Sequence, residues 1–236
     1  MMRRLLTVSI AIICLSLNSV AQTNIIWKAG DTIAAKTVKA IGVERLFSSQ
    51  EIDNNIFNRI RNKSFKSNCT TPRQDLRYLK IAHININGKV QMGELICHKS
   101  IANDLIEIFK QLYLEKYPIE RMVLIDEYDA DDEASMSANN TSCFNFRKIN
   151  GSAKLSKHSL GMAVDINPRN NPCVHSKTGL VEPANGKAYA HNRDKHKAGV
   201  IKLIDHQDLC YKLFKAHGFR WGGDWKSVKD YQHFEK

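Results

Sequence analysis

An α+β fold is predicted by three features of this 236-residue sequence. Strand-like and helix-like stretches interleave without a regular βαβ beat, one hairpin signal is strong, and two segments carry a helical period. A small central antiparallel sheet with flanking helices is the expected architecture. Residues 22 to about 75 mix short apolar clusters with Ser, Asn and Lys and show no clear period. They are expected to form an irregular segment packed on the domain that follows, 76–236. Tyr78 to Ile86 alternates loosely, and Asn87-Gly88 is a hairpin turn before Lys89 to Ile96. Ile101, Leu105, Ile108, Phe109 and Leu112 recur at helical spacing, with Ser100 in place as an N-cap. Arg121 to Ile125 is a short β-rich run, followed by an acidic loop from Asp126 to Glu133 and a polar stretch from Ser135 to Asn145. Residues 168 to 199, rich in Asn, Pro, Gly, Lys and His, read as a long surface loop. Ile201 to Ala216 is helix-like and ends at His217-Gly218, where glycine fits the left-handed position beyond a helix.

The chain opens with Met1-Met-Arg-Arg4, an apolar run from Leu5 to Leu17, and Asn18-Ser-Val-Ala-Gln22. A basic start, a short apolar stretch and a Ser-x-Ala ending predict a secretory signal peptide over residues 1–21, cleaved after Ala21. A membrane anchor is the weaker reading, because a spanning helix needs about 20 apolar residues. Ile13 before Cys14 is too large for a lipoprotein signal. The mature protein is therefore expected to be exported, periplasmic or extracellular, without stable membrane insertion, and a monomer.

Loss of Arg3 and Arg4 with the signal lowers the formal net charge from +11 to +9. The Lys and Arg residues are scattered and form no basic stripe with interleaved aromatics, so nucleic acid is not an expected partner. Of six cysteines, Cys69, Cys97, Cys143, Cys173 and Cys210 lie beyond the signal. An odd number leaves at least one thiol unpaired within the chain, and without a C-x-x-C pair a cysteine zinc site is not expected.

Two short segments concentrate the chemistry: Ser156-Lys-His-Ser-Leu-Gly-Met-Ala-Val-Asp-Ile-Asn167 and Asp230-Tyr-Gln-His-Phe-Glu235. Gly161 allows a tight turn between His158 and Asp165, after which a strand would place Ala163, Asp165 and Asn167 on one face. Asp230 and His233 are three apart, so one helical turn would align them. Two imidazoles and one carboxylate suit Zn2+, since a single anionic ligand leaves the site net positive. Spacing alone is a weak signal: an Asp beside a turn is usually a cap or Asx turn, and nine histidines permit other ligand sets.

The residues around these positions are more specific. Ser156-Lys-His-Ser-Leu-Gly-Met-Ala-Val-Asp165 resembles the S-x-H-x-x-G-x-A-x-D signature of the zinc D-Ala-D-Ala carboxypeptidase family, the M15 peptidases of peptidoglycan. Gly218-Phe-Arg-Trp-Gly-Gly-Asp-Trp225 with Asp230-Tyr-Gln-His-Phe-Glu235 resembles its C-terminal signature. Asn139-Asn-Thr-Ser-Cys-Phe-Asn-Phe-Arg147 is similar to the segment carrying the family's active-site arginine. The resemblance runs from about Tyr78 to the end. Asp in D-x-x-H, where several relatives carry Glu, is most like the L-alanyl-D-glutamate endopeptidase branch.

The resemblance implies that His158, Asp165 and His233 bind zinc and that Asp230 is the general base. Arg147 would bind a substrate carboxylate or the developing oxyanion, or else form a structural ion pair. Ser156 would contact substrate or stabilise a turn. Trp221 and Trp225 would wall the cleft or pack in the core, and Gly222-Gly223 would turn the chain towards the metal. His175, His191, His196, His206 and His217 are read as surface or capping residues, and His83 and His98 have no evident partner. Cys143 and Cys173 flank the first motif, and a bridge between them would stiffen the site. The implied function is hydrolysis of peptidoglycan stem peptides, as an L-Ala–D-Glu endopeptidase or a D-Ala carboxypeptidase. The hedgehog signalling domain is similar to this fold. It keeps open the alternative of a zinc-containing wall-binding or signalling module without catalysis.

Overall fold

The computed structural model describes residues 27–150, 152–191, 193 and 201–236. Residues 1–21, expected to form a signal peptide and including Cys14, lie outside the described residues, as does His196. The class is α+β, and the antiparallel pairing is divided among three three-stranded sheets rather than gathered in one.

The expected hairpin forms the largest sheet. Strand β2 (Leu76–Ile84) pairs with β3 (Val90–His98) from Leu76↔His98 to Ile84↔Val90. Gly88 has φ +70°, and the Asn85 side chain accepts from the amides of Asn87 and Lys89, both at 3.0 Å, to close the turn. The third strand comes from the segment expected to be irregular. Residues 35–60 contain helix α1 (Ala35–Ile41), strand β1 (Phe47–Glu51) and helix α2 (Asn54–Ile60). Strand β1 pairs with β2, with Phe47 opposite Ile81. Only its first residue is buried, so the strand shows no apolar alternation and is defined by its partner. Helix α2 opens at Asp53, whose carboxylate accepts from the Ile56 amide at 2.8 Å.

This sheet separates two apolar clusters. Leu79 and Ile81 of β2 pack with Leu105, Ile108, Phe109 and Leu112 of helix α3 (Ala102–Leu114). Leu76 and Tyr78 face the other way, towards Ile52, Ile60, Phe144 and Phe146. Each fully buried aliphatic or aromatic side chain contributes about 1.5–3 kcal/mol. Helix α3 starts without a side-chain cap, because the Ser100 hydroxyl is engaged by His98 Nδ1 at 2.7 Å instead. Among the described residues no helix is long and apolar enough to cross a membrane.

Helix α4 covers Asp132–Ser137, within the stretch read as acidic loop and polar linker. Residues 121–125 form no strand; Arg121 makes only an isolated bridge to Asn140. Strand β4 (Ala163–Asp165) lies beside β9 (His233–Glu235), which also pairs with β7 (Arg220–Trp221). The third sheet arises where a surface loop was expected. Strand β5 (Cys173–His175) pairs with β6 (Val181–Glu182) and with β8 (Val228–Asp230). Its strands are too short for a period to show.

The last helix is shorter than its apolar spacing suggests: α5 spans Leu209–Ala216. The Asp205 carboxylate captures the amides of Gln207 and Asp208, at 2.8 and 3.0 Å, which diverts the backbone before the helix begins. Its end follows expectation. Gly218 is left-handed at φ +82°, and the amides of Gly218 and Phe219 reach the carbonyls of Lys215 and Phe214, each at 3.0 Å. That closure directs the chain into β7 and so positions the C-terminal motif.

Candidate metal centre

Antiparallel pairing of β4 with β9 places Asp165 directly opposite His233. Cross-strand partners project to the same face, and His233 Nδ1 meets Asp165 Oδ1 at 3.0 Å. His158 arrives from a 3₁₀ turn, Lys157–Leu160, capped by the Ser156 hydroxyl and closed by Gly161 at φ +65°. Its Nε2 stands 3.1 Å from Asp165 Oδ2 and 3.2 Å from His233 Nδ1. A Cβ on Gly161 would meet the backbone nitrogen of His98 at 2.7 Å, so the turn leans on the end of β3. All three residues are buried.

The outer partners orient the rings. His158 Nδ1 contacts the Cys143 carbonyl, which can only accept; Nδ1 therefore carries a proton and Nε2 faces the interior. His233 Nε2 contacts the Glu235 carboxylate at 3.3 Å, leaving Nδ1 for the interior. A carbonyl or carboxylate behind each imidazole is the usual support of metal-ligating histidines. Burial pushes the Asp165 carboxyl up, but His158 and His233 outweigh it and hold it below the usual range. Burial opposes charge on His233, yet the Asp165 and Glu235 carboxylates raise it to about 10. Two ring nitrogens and two carboxylate oxygens converging on one buried point call for positive charge. The donor set fits Zn2+, and the three residues can hold a single ion.

Asp230 reaches this region differently from the expected helical turn. It ends β8 while His233 begins β9, so the two belong to adjoining sheets linked by Tyr231 and Gln232. The Gln232 carbonyl accepts from Ile166 and the Tyr231 carbonyl from Trp221 Nε1, fixing the link. Asp230 Oδ1 is shielded from solvent without a hydrogen-bond partner. Burial pushes its pKa up to about 6; His233 opposes that rise and the Asp165 charge adds to it.

The remaining expected site residues are placed as follows. Arg147 pairs with Asp132 in the first turn of α4. Its backbone carbonyl receives the Ser156 amide, which ties it to the His158 turn. The Ser156 hydroxyl accepts from the His158 amide at 3.2 Å, the turn-stabilising role. Trp221 is buried among Tyr211, His206 and Phe234, the packing role, while Trp225 lies 5.2 Å from the His233 ring. His83 is buried against the Ile119 carbonyl, and His206 and His217 contact Asp224 and Asp104. The Cys143–Cys173 bridge does not form. All five described cysteines are free thiols; Cys143 is buried with Sγ towards the Gly161 carbonyl, whereas Cys173 Sγ faces His175.

Two participants escaped the sequence reading: Glu235 and the Cys143 carbonyl. Glu235 had a signal, since it stands two residues from His233 and thus on the same face of a strand. A backbone carbonyl leaves no signal in side-chain identity.

A family model described as D-alanyl-D-alanine carboxypeptidase matches residues 150–236. That range holds both metal motifs and excludes Arg147, and it supports an M15-type peptidase. No solved structure matches this chain.

Proposed function

We propose that this chain is an exported zinc metallopeptidase that hydrolyses peptidoglycan stem peptides, acting as an L-alanyl-D-glutamate endopeptidase. The observation that carries the reading is the buried His158–Asp165–His233 cluster with Asp230 beside it, one carboxylate oxygen of which is shielded from solvent without a hydrogen-bond partner. A purely structural cation needs no spare carboxylate.

His158, Asp165 and His233 would hold the ion, with Cys143 and Glu235 fixing the rings. A bound zinc supplies Lewis acidity, polarising the scissile carbonyl and acidifying water. Asp230 takes a proton from the attacking water and returns it to the departing amine as the C–N bond breaks. Asp is one methylene shorter than Glu, so Asp230 must sit closer to the water or approach by a different backbone path; it does so from the end of β8. Arg147 serves the free α-carboxylate of the γ-linked glutamate, which lies next to an L-Ala–D-Glu bond, with Asp132 aligning the guanidinium. The D-Ala carboxypeptidase reading uses the same arginine for a terminal carboxylate.

The test is incubation of zinc-loaded protein with defined muropeptides, with and without chelator, followed by mass spectrometry. Release of the stem peptide from L-Ala, abolished by chelator, is expected. Loss of terminal D-Ala alone would move the assignment to carboxypeptidase. No cleavage of any stem peptide would leave the non-catalytic wall-binding or signalling module.

A further inference from the structure

We propose that Cys173, His175 and Glu182 form a second cation site, separate from the first and suited to thiophilic divalent ions such as Zn2+ and Co2+. This inference rests on the β5–β6 geometry and not on the peptidase reading.

Cys173 and His175 are two residues apart on β5 and share a face. Glu182 on β6 is the direct cross-strand partner of Cys173, so its side chain joins the same face. Cys173 Sγ lies 3.9 Å from His175 Nε2, and His175 Nε2 lies 2.7 Å from Glu182 Oε2. Those distances bracket the separation of about 3.5 Å between ligand atoms on a tetrahedral zinc. The three ligand atoms lie within 4.8 Å of one another, so one ion can touch all of them. His175 and Glu182 retain 31% and 27% side-chain exposure, which leaves a route from solvent.

A His175–Glu182 ion pair alone would leave the sulfur unexplained. Cys173 also stands opposite Asp230 of β8, so its sulfur lies in a row between two carboxylates. A cation placed there would be held by sulfur and carboxylate together. One sulfur, one imidazole nitrogen and one carboxylate oxygen favour zinc-like ions over Mg2+ or Ca2+, which prefer all-oxygen shells.

Cobalt separates the two sites. The His158–Asp165–His233 cluster contains no sulfur, so only the second site can give a thiolate-to-cobalt charge-transfer band. Metal-stripped full-length protein titrated with Co2+ is expected to bind two ions and to develop this near-ultraviolet band. Cys173→Ser is expected to bind one ion without the band, and His158→Ala one ion with it. Glu182→Gln, which keeps the strand pairing, should weaken the band-forming step about tenfold or more. No band in the parent protein, or an undiminished band in Cys173→Ser, would overturn the proposal. Either result leaves the muropeptide assay to judge the peptidase reading independently.

Discussion

Gly222 is pressed against Asp230. A Cβ built on the glycine would stand 2.6 Å from the Asp230 carbonyl oxygen, 2.8 Å from its Cβ and 3.2 Å from the Cβ of His233. The glycine is therefore the spacer that lets Asp230 on one sheet and His233 on another approach each other. Gly222→Ala must force the end of β8 outward. Overpacking of this kind costs about 1–3 kcal/mol, and displacing a reacting group by about 1 Å costs on the order of 100-fold in rate. Urea unfolding and turnover on a stem peptide would both fall; unchanged values would show that the contact relaxes freely.

Asp230 and His233 should fail in different ways. Asp230→Ala is expected to retain bound zinc while turnover drops by about 10²–10⁴-fold, the usual contribution of a general base. His233→Ala removes one of the three proposed ligands and should lose both metal and turnover. Metal analysis beside the peptidase assay checks the pair. A fully active Asp230→Ala would remove Asp230 from the mechanism.

His83 should make stability depend on pH. It is 2% exposed, and its Nδ1 lies 2.8 Å from the Ile119 carbonyl. Burial holds its pKa down, to about 4, against the opposing effect of backbone hydrogen bonds. Between the unfolded value and that lower one, the unfolded chain binds the extra proton, so stability falls as pH drops from about 6.5 to about 4. The full loss is roughly 3 kcal/mol. His83→Asn can keep a bond to Ile119 without titrating, so denaturant melts across this range should lose that part of the slope. Identical slopes in the two proteins would exclude His83 as the source.

Arg59 should anchor helix α2 to the first sheet. Its guanidinium meets both oxygens of Glu94 at 2.8 and 2.6 Å, and Tyr78 donates to the same carboxylate at 2.5 Å. Glu94 is only 2% exposed, so Arg59→Ala leaves a buried charge without its cation, at a cost of about 3–5 kcal/mol. Adding Glu94→Gln should restore part of that loss, and a double-mutant cycle by urea unfolding measures the coupling. Additive effects would mean that the pair does not hold the segment in place.

The β2–β3 hairpin and helix α3 were legible because each carries its own signal: Asn87-Gly88 in one, five apolar residues at helical spacing in the other. Strand β1 was not, since Ser48, Ser49, Gln50 and Glu51 are all exposed and acquire strand geometry only from β2. Spacing around His158 and Asp165 suggested a turn and a strand, and the structure has both. The relation of Asp230 to His233 was misread as helical because three-residue spacing fits a helix as well as a link between two strands. Cys173-x-His175 did carry the alternation of a strand, but a stretch rich in Asn, Pro and Gly masked it. Its partner, Glu182, could be found only through pairing.

The pairing of Asp165 with His233 joins positions 68 residues apart, and His158 is 75 residues from the same histidine. An ion held by all three would be a cross-link spanning a long loop, restricting the unfolded chain as a disulfide does. The described cysteines make no such link themselves. Resistance to heat and proteolysis would then follow the supply of trace metal rather than of oxidant, and scarcity would open the chain to degradation as well as silence it.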